Sequence, residues 1–284
     1  MELWFKELHT QGAGITLRVK KTLFRERSPY QEIAVLETDE FGKMLVIDGL
    51  VMLTERDEFI YHEMMAHPAL VVHRNPRRIL VIGGGDGGTV REVLRHSTVE
   101  SVTLCEIDEL VLKVARDYLP RISEKMYSDA RVEILVMDAM EYVRGVRQRF
   151  DVILVDSSDP VGPAKGLFEP EFLSRLRHVL SPDGIVVLQS ESPFYHGDVI
   201  KKVKAALVET GFRHVKFYWA HVPTYPAGVW CWAWASDRYH PLRDLDADRC
   251  VERVEGGLDP GYYHPGIHRA SFELPQYMNR FLGS

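Results

Sequence analysis

The spacing of hydrophobic and polar positions changes near residue 57, and the change divides the chain into two parts. Before that point apolar and polar residues alternate in short runs, which is typical of antiparallel strands. These runs lie at 15–23, 31–38, 44–47 and 50–53. Asp48-Gly49, between the last two runs, predicts a two-residue hairpin. From 57 to 72 the spacing becomes helical, and Pro68 is expected to kink or restart that helix.

After residue 76, apolar runs of strand length alternate with stretches of helical period. The strand-like runs are 78–82, 101–106, 131–137, 150–155, 185–189, 214–219 and 229–235. The helical stretches are 89–96, 109–119, 139–144, 170–180 and 198–210, with a short helix near 274–282. This alternation predicts an α/β fold with a parallel sheet that carries helices on both faces. We predict a β-rich N-terminal domain at 1–57 and a Rossmann-like domain with a C-terminal tail at 58–284.

A run of glycines between the first of those strands and its helix indicates a ligand-binding turn. Gly83, Gly85 and Gly88 fit G-x-G-x-x-G, and Glu106 follows about 20 residues later. The glycines alone fit either a dinucleotide or an adenosyl sulfonium compound. Asp86, inside the turn, would repel a pyrophosphate by several kcal/mol at short range in a partly dry cleft. A cationic ligand therefore suits this turn better.

Acidic residues follow five successive strands of the predicted sheet. They are Asp86, Glu106 with Asp108, Asp138, Asp156 with Asp159, and Glu191. Because the carboxyl ends of parallel strands meet at one edge, we expect these acids to surround one site. Each of them alone is better explained as a helix N-cap or a turn residue, and it is their succession after five strands that favours a shared site. The stretch 156–164 also carries two prolines, which favours a loop that closes over the cleft.

Composition excludes some classes of function. The chain has 284 residues, 35 Lys and Arg against 41 Asp and Glu, and a net charge of -6, which offers no basic surface for nucleic acid. Its apolar runs are far shorter than the roughly 20 residues that a membrane span needs. Three cysteines without CxxC spacing predict a reducing, cytoplasmic location. No cluster of His and Cys has zinc spacing, so we expect no metal.

Several motifs together resemble the polyamine aminopropyltransferases, the family of the spermidine synthases. They are Ser28-Pro29-Tyr30-Gln31, Tyr61-His62-Glu63, the glycine turn with Asp86, Glu106, Asp138-Ala139, 156–164, Tyr225-Pro226 and the stretch 262–268. The resemblance covers nearly the whole chain, and the order and spacing of the motifs make it specific. One departure is Ala227, where many family members have serine.

The resemblance implies a methyltransferase-like Rossmann domain with a seven-stranded, mostly parallel sheet, behind a small N-terminal β domain. It implies transfer of the aminopropyl group of decarboxylated S-adenosylmethionine to putrescine, without a cofactor, in a homodimer or homotetramer. Asp156 would be the general base. Residues that would contact the donor nucleoside are Gln31, Gly83, Gly85, Glu106, Asp138, Ala139 and Pro163. Residues that would contact the amines are Tyr61, His62, Asp86, Asp159 and Tyr225.

The residues support that chemistry on physical grounds. An alkylamine with a pKa of about 10.4 is protonated at neutral pH, so a carboxylate must remove its proton before it attacks. We expect burial and the nearby Asp86 to raise the pKa of Asp156, which would improve it as a base. His62 alone is better explained as a satisfied helix histidine, and its company with Tyr61 and Gln31 makes a functional role equally good. Tyr61 and Tyr225 could be core aromatics, but their rings suit the methylene chain or the cationic nitrogen of a diamine.

Other hypotheses about the function remain open. Transfer to cadaverine, agmatine or spermidine instead of putrescine would use the same site, whereas the other hypotheses predict different residues. An S-adenosylmethionine-dependent methyltransferase would favour a neutral or cationic group where Asp86 stands. A nicotinamide dehydrogenase would need a Tyr and Lys pair near the fourth strand, and a silent polyamine-binding protein would not need Asp156.

Overall fold

A computed structural model describes residues 2–158, 162–253 and 258–283, with the main chain alone at 162 and 163. The strands are β1 Leu3–Leu8, β2 Gly14–Arg27, β3 Glu32–Thr38, β4 Lys43–Ile47, β5 Leu50–Thr54, β6 Arg78–Gly83, β7 Ser101–Glu106, β8 Val132–Val136, β9 Phe150–Asp156, β10 Leu180–Gln189, β11 His214–His221 and β12 Val229–Ser236. The helices are α1 Glu58–Val72, α2 Gly88–Leu94, α3 Glu109–Tyr118, α4 Pro120–Ser128, α5 Ala139–Gly145, α6 Pro170–Val179, α7 Gly197–Glu209, α8 Ala247–Arg253, α9 Pro265–Ser271 and α10 Gln276–Leu282.

The N-terminal sheet is an antiparallel meander of β1 to β5 in chain order. Its last hairpin turns at Asp48 and Gly49, both with positive φ, and pairs Ile47 with Leu50, which confirms the predicted turn. The sequence pattern missed β1, because Leu3, Trp4 and Leu8 are exposed while the acidic Glu7 is buried. The edge strand β1 leaves Trp4 and Leu8 more than half exposed.

The second sheet has seven strands in the order β11-β12-β10-β9-β6-β7-β8. The pairs from β10 through β9, β6 and β7 to β8 are parallel, while β12 runs antiparallel to both of its neighbours. Every residue of β9 is buried, as expected for a parallel sheet covered on both faces. One hydrophobic cluster packs on each face of this sheet. The predicted fold class is therefore confirmed.

Helix α1 runs from one sheet to the other without the restart that was expected at Pro68. A proline inside a helix leaves the carbonyl four residues earlier without its hydrogen bond. Here that carbonyl belongs to Met64, and the hydroxyl of Tyr218 on β11 donates to it at 2.8 Å. A tertiary contact therefore replaces the missing bond, and the helix continues.

The sheet topology places the carboxyl ends of β6, β7, β8 and β9 side by side. In the register, Gly83 at the end of β6 pairs with Asp156 at the end of β9. The N-terminal sheet and α1 close the space above this edge, which creates a cleft between the two sheets. Within the described ranges, every helix is too short or too polar to cross a lipid bilayer.

Candidate active site

The cleft brings together most of the residues that the sequence predicted for the site. Those that line it are Gln31, Tyr61, His62, Gly83, Gly85, Asp86, Glu106, Asp138, Ala139, Asp156 and Tyr225. Asp159 lies outside the described residues, and Pro163 is described by its main chain alone, in the 3-10 helix Gly162–Phe168. The N-terminal sheet adds an apolar wall of Leu45, Ile47 and Met52.

The glycine turn has no room for side chains of its own at two positions, because other side chains pack against it. Gly84 has a φ of +67°, and a Cβ there would lie 2.8 Å from a carboxylate oxygen of Asp156. A Cβ on Gly88 would lie 2.3 Å from the ring of His62. Only glycine allows a positive φ and this close approach together. The glycines therefore allow the close approach of Asp156 and His62, as well as that of a ligand.

Glu106 defines one end of the cleft, where a nucleoside is expected. Its carboxylate is buried and accepts hydrogen bonds from the backbone N–H groups of Gly85, at 3.2 Å, and Asp108, at 2.9 Å. Burial, assisted by the charge of Asp108, raises the pKa of Glu106 to about 7 despite those two bonds. In the described part of the chain, the groups that chiefly shift the pKa of Glu106 include no cation that would balance its charge.

Two other predicted nucleoside contacts are positioned by local hydrogen bonds. Gln31 donates from Nε2 to the carboxylate of Asp108 at 2.9 Å, which joins the N-terminal sheet to the start of α3. Asp138 caps α5 by accepting from the N–H of Met140 at 2.8 Å. The N-cap interpretation of Asp138 is thus correct, and the residue lines the cleft as well.

Asp156 occupies the opposite end, where the amines are expected. The hydroxyl of Tyr61 donates to its Oδ1 at 2.7 Å, and the hydroxyl of Thr89 donates to its Oδ2 at 2.6 Å. Burial, followed by the charge of Asp86, raises the pKa of Asp156 even though both hydroxyls oppose the shift. The direction expected from the sequence is confirmed. Thr89 was not predicted, although its position just after the glycine turn indicated it.

Aromatic rings surround this end of the cleft. The rings of Tyr61 and Tyr225 lie 5.5 Å apart, and Tyr61 also packs 5.4 Å from Trp232. A smaller cavity continues from here and shares Tyr61, Tyr225, Ser157 and Ser158 with the main cleft. Apolar rings with a polar edge suit the methylene chain and the charged nitrogen of a diamine.

Glu7 on β1 lines the smaller cavity and was not predicted, because the strand itself was missed. Its carboxylate accepts from the N–H of Val51 at 2.6 Å and lies 3.2 Å from Nε2 of His9. Burial raises the pKa of Glu7 to about 7 against the lowering effect of the Val51 hydrogen bond.

The expectation that all five strand ends reach one site is wrong for Glu191. Its φ of +73° turns the chain after β10, and the N–H of Cys231 binds its carbonyl oxygen. The side chain is buried, and its Oε2 lies 3.0 Å from Nδ1 of His196. Among the described residues, Glu191 is not one of those that line the cleft.

His62 is held between two carboxylates. Its Nδ1 lies 2.6 Å from Oε2 of Glu58, and its Nε2 lies 3.2 Å from Oδ1 of Asp86. Arg91 on α2 donates two hydrogen bonds to Glu58, at 2.8 and 2.9 Å. Neither Glu58 nor Arg91 was predicted, because only the i,i+4 spacing of Glu58 and His62 indicated a contact.

Atoms of His62, Asp86 and Asp156 come within 4.8 Å of one another. This spacing would suit an ammonium group or a metal ion. A ring nitrogen that donates to a carboxylate has no lone pair for a metal, and both nitrogens of His62 face carboxylates. His62 is therefore a poor metal ligand here, and the carboxylates of Asp86 and Asp156 are the groups that could accept from an ammonium ligand.

Comparison with known proteins agrees with this geometry. Residues 58–246 match the family model "Spermine/spermidine synthase domain", and residues 3–55 match "Spermidine synthase tetramerisation domain". The chain belongs to the spermine/spermidine synthase family. The resemblance found in the sequence is thereby confirmed, and the protein is an enzyme of the transferase class.

Full-length relatives carry the same family name. The chain is 45% identical over 278 residues to a polyamine aminopropyltransferase of Thermoanaerobacter sp. (strain X514), covering 98% of each. It is 44% identical over 270 residues to that of Methanocaldococcus jannaschii, covering 95% of this chain and 91% of the relative.

Solved structures extend the likeness to three dimensions. A crystal structure of spermidine synthase in complex with the transition state analogue AdoDATO is 37% identical, with a TM-score of 0.95 over 99% of this chain and 95% of that one. The spermidine synthase of Thermotoga maritima is also 37% identical, with a TM-score of 0.93 over 99% and 94%. The match of residues 3–55 to a tetramerisation domain indicates an oligomer.

Proposed function

We propose that this transferase moves the aminopropyl group of decarboxylated S-adenosylmethionine to putrescine, which yields spermidine and 5′-methylthioadenosine. The observation that carries the proposal is the buried Asp156, which lies beside Asp86 and accepts a hydrogen bond from Tyr61, one of the aromatic residues at this end of the cleft. A solved structure of spermidine synthase with AdoDATO at 37% identity supports it.

In the proposed reaction, an amine nitrogen of putrescine attacks the methylene carbon next to the sulfonium. A new C–N bond forms, the C–S bond breaks, and its electron pair neutralises the sulfur. Asp156 accepts the proton that the nitrogen loses. Because the sulfonium is a good leaving group, alignment of nitrogen, carbon and sulfur supplies most of the catalysis, and no metal or further cofactor is needed.

The two ends of the cleft divide the binding. Glu106, Asp138 and Gln31 would accept or donate hydrogen bonds to the nucleoside, with Ala139 and the glycine turn in contact with it. Asp86 would attract the aminopropyl tail, and Tyr61 and Tyr225 would contain the methylene chain of the acceptor. Asp159 and Pro163 keep their predicted roles as proposals.

Mass spectrometry of the products tests the reaction. The enzyme is incubated with the decarboxylated donor and, in separate samples, with putrescine, cadaverine, agmatine or spermidine. We expect spermidine and methylthioadenosine in equal amounts, with putrescine the preferred acceptor. Methylated product from ordinary S-adenosylmethionine would support the methyltransferase instead, and preference for another amine would correct the acceptor alone.

We also propose a homodimer or homotetramer that uses the N-terminal sheet, where Leu3, Trp4 and Leu8 are exposed. Burial of such apolar side chains against a second copy would supply the driving force. Sedimentation of the purified protein measures the subunit number.

A cytoplasmic location remains a prediction from the cysteine pattern.

A further inference from the structure

We propose that Glu58, held by Arg91, is a positioning residue that keeps His62 protonated and thereby allows Asp86 and Asp156 to be ionised together. The inference rests on the proposed function, because it assigns the charge of the site at which that function places the amines. Neither Glu58 nor Arg91 belongs to the motifs by which the chain resembles its family.

The first step is the geometry around the imidazole. Glu58 and His62 are four residues apart on α1, so their side chains meet on one face of the helix. An imidazole can donate from both nitrogens only when it is protonated, and both nitrogens of His62 face carboxylate oxygens. The two carboxylates therefore favour the cationic ring.

The second step is the alternation of charge along a chain of buried and half-buried side chains. In order, the chain runs through Asp86, His62, Glu58, Arg91 and Glu92. Arg91 binds both oxygens of Glu58, which fixes the carboxylate with Oε2 toward His62. Each negative group is thus followed by a positive one, so burial of these charges is compensated.

The third step concerns the two acids that share the amine end. Two neighbouring carboxylates without a cation tend to hold one proton between them. A proton on either acid would remove a charge that attracts the amine or block the base. His62 lies beside both of them and supplies the opposing charge.

Every element packed against His62 contributes to its charge balance. Its own helix provides Glu58 and Tyr61, the turn before α2 provides Asp86, α2 provides Arg91, and β9 provides Asp156. Burial alone would lower the pKa of His62, but Asp86 and Glu58 raise it to about 10. Burial would likewise raise the pKa of Asp86, and the charge of His62 overcomes it and lowers that pKa.

The decisive variant is Glu58→Gln, which removes the charge and keeps an oxygen that can accept from His62. Loss of the His62 charge should raise the pKa of the Asp86 and Asp156 pair, so the acid limb of the pH–rate profile should move to higher pH by about one unit. We expect kcat/KM for putrescine to fall about tenfold at pH 7 and much less at pH 9. The KM for the donor should change little.

Glu63→Gln is the matched control. Glu63 lies on the same helix and is also buried, but its carboxylate accepts from the N–H groups of Gly261, Tyr262 and Tyr263. We expect a lower melting temperature for this variant and no shift of the acid limb. An equal shift in both variants would overturn the proposal, because it would follow from loosening α1.

Nitrogen NMR of histidine-labelled protein gives a readout that does not depend on turnover, with His62→Asn to assign the signal. In the wild type the His62 ring should stay protonated beyond pH 8, and in Glu58→Gln it should titrate at lower pH. Deprotonation of His62 below pH 7.5 in the wild type would overturn the proposal even if the variant does not fold. An activity loss in Glu58→Gln that is equal at all pH values would also overturn it.

These measurements separate the two proposals. If the wild type forms no spermidine while His62 titrates as expected, the proposed function fails and the charge assignment of the cleft stands. If spermidine forms and His62 is neutral at pH 7, the function stands and this inference fails.

Discussion

The two ends of the cleft use the same kind of residue in opposite electrical surroundings. Glu106 is buried with backbone N–H groups as partners, and its pKa is raised to about 7. Asp86 is half-buried beside the cation of His62, and its pKa is lowered. Carboxylates at equivalent strand ends therefore differ in protonation because of one neighbouring side chain.

The comparison indicates how one cleft would accept two different ligand groups. Hydroxyl groups of a nucleoside bind a carboxylate as donors and can supply the stabilisation that Glu106 lacks. Ammonium and sulfonium groups need a permanent negative charge, which Asp86 keeps at neutral pH. Single substitutions at each end test this difference.

The largest effect is expected at the amine end from Asp156→Asn. Tyr61 and Thr89 donate to different oxygens of Asp156, so the asparagine oxygen can still accept from one of them, but it cannot take the proton of the amine. We expect kcat to fall by about a thousandfold, within the usual range for loss of a general base. Steady-state kinetics measure kcat, and calorimetry should find donor binding nearly unchanged. Turnover close to that of the wild type would remove the base assignment.

The next effect is expected from Glu106→Gln at the nucleoside end. Hydrogen bonds to a charged group contribute about 1.5–3 kcal/mol, so methylthioadenosine should bind at least about tenfold more weakly at pH 8. The difference should shrink at pH 6, because the wild-type carboxyl, with a pKa of about 7, is then protonated before it binds.

Calorimetry in buffers of different ionisation enthalpy checks the same point. When methylthioadenosine binds the wild type near pH 6.5, Glu106 should release protons, and Glu106→Gln should release none by this route. Equal proton release from both proteins would contradict the assignment.

A moderate effect on donor choice is expected from Asp86→Asn. Repulsion between Asp86 and the carboxylate of ordinary S-adenosylmethionine would amount to about 1–2 kcal/mol at an effective dielectric constant near 20. The preference for the decarboxylated donor, measured by calorimetry, should therefore narrow about tenfold. Asp138→Asn is the control from the nucleoside end and should leave this preference unchanged.

The smallest effect is expected from Ala227→Ser, at a position that is not among the residues lining the cleft. Ala227 is exposed and has a φ of +59°, which serine tolerates no better than alanine. Surface substitutions of this kind usually change free energies by less than about 0.5 kcal/mol. The kcat/KM for putrescine should stay within about twofold of the wild type, and a tenfold change would place this position inside the acceptor site.

Much of this fold follows from local sequence patterns. The strands of the parallel sheet could be predicted because they are buried on both faces, so their apolar runs are nearly continuous. Helix α4 was missed because Pro120 resembles a break, although proline is well tolerated in the first turn of a helix. Continuity of α1 at Pro68 depends on Tyr218, which is distant in the sequence.

The candidate site shows the same limit. Asp86, Glu106, Asp138 and Asp156 follow predicted strands, and the parallel topology brings strand ends together. Glu7 comes from a strand whose apolar residues are mostly exposed, and the Glu58–Arg91 pair joins two helices through side chains. Contacts that depend on the packing of distant elements leave little trace in the local pattern.

Strand β1 lies between the surface of the molecule and the smaller cavity beyond Tyr61 and Tyr225. Trp4 and Leu8 point to one side of it, while Glu7 points to the other and lines the smaller cavity. A neighbour that covers Trp4 and Leu8 would also restrain Glu7, since one short backbone carries all three. Assembly through this strand, as proposed, would therefore affect the smaller cavity as well as the surface of the protein.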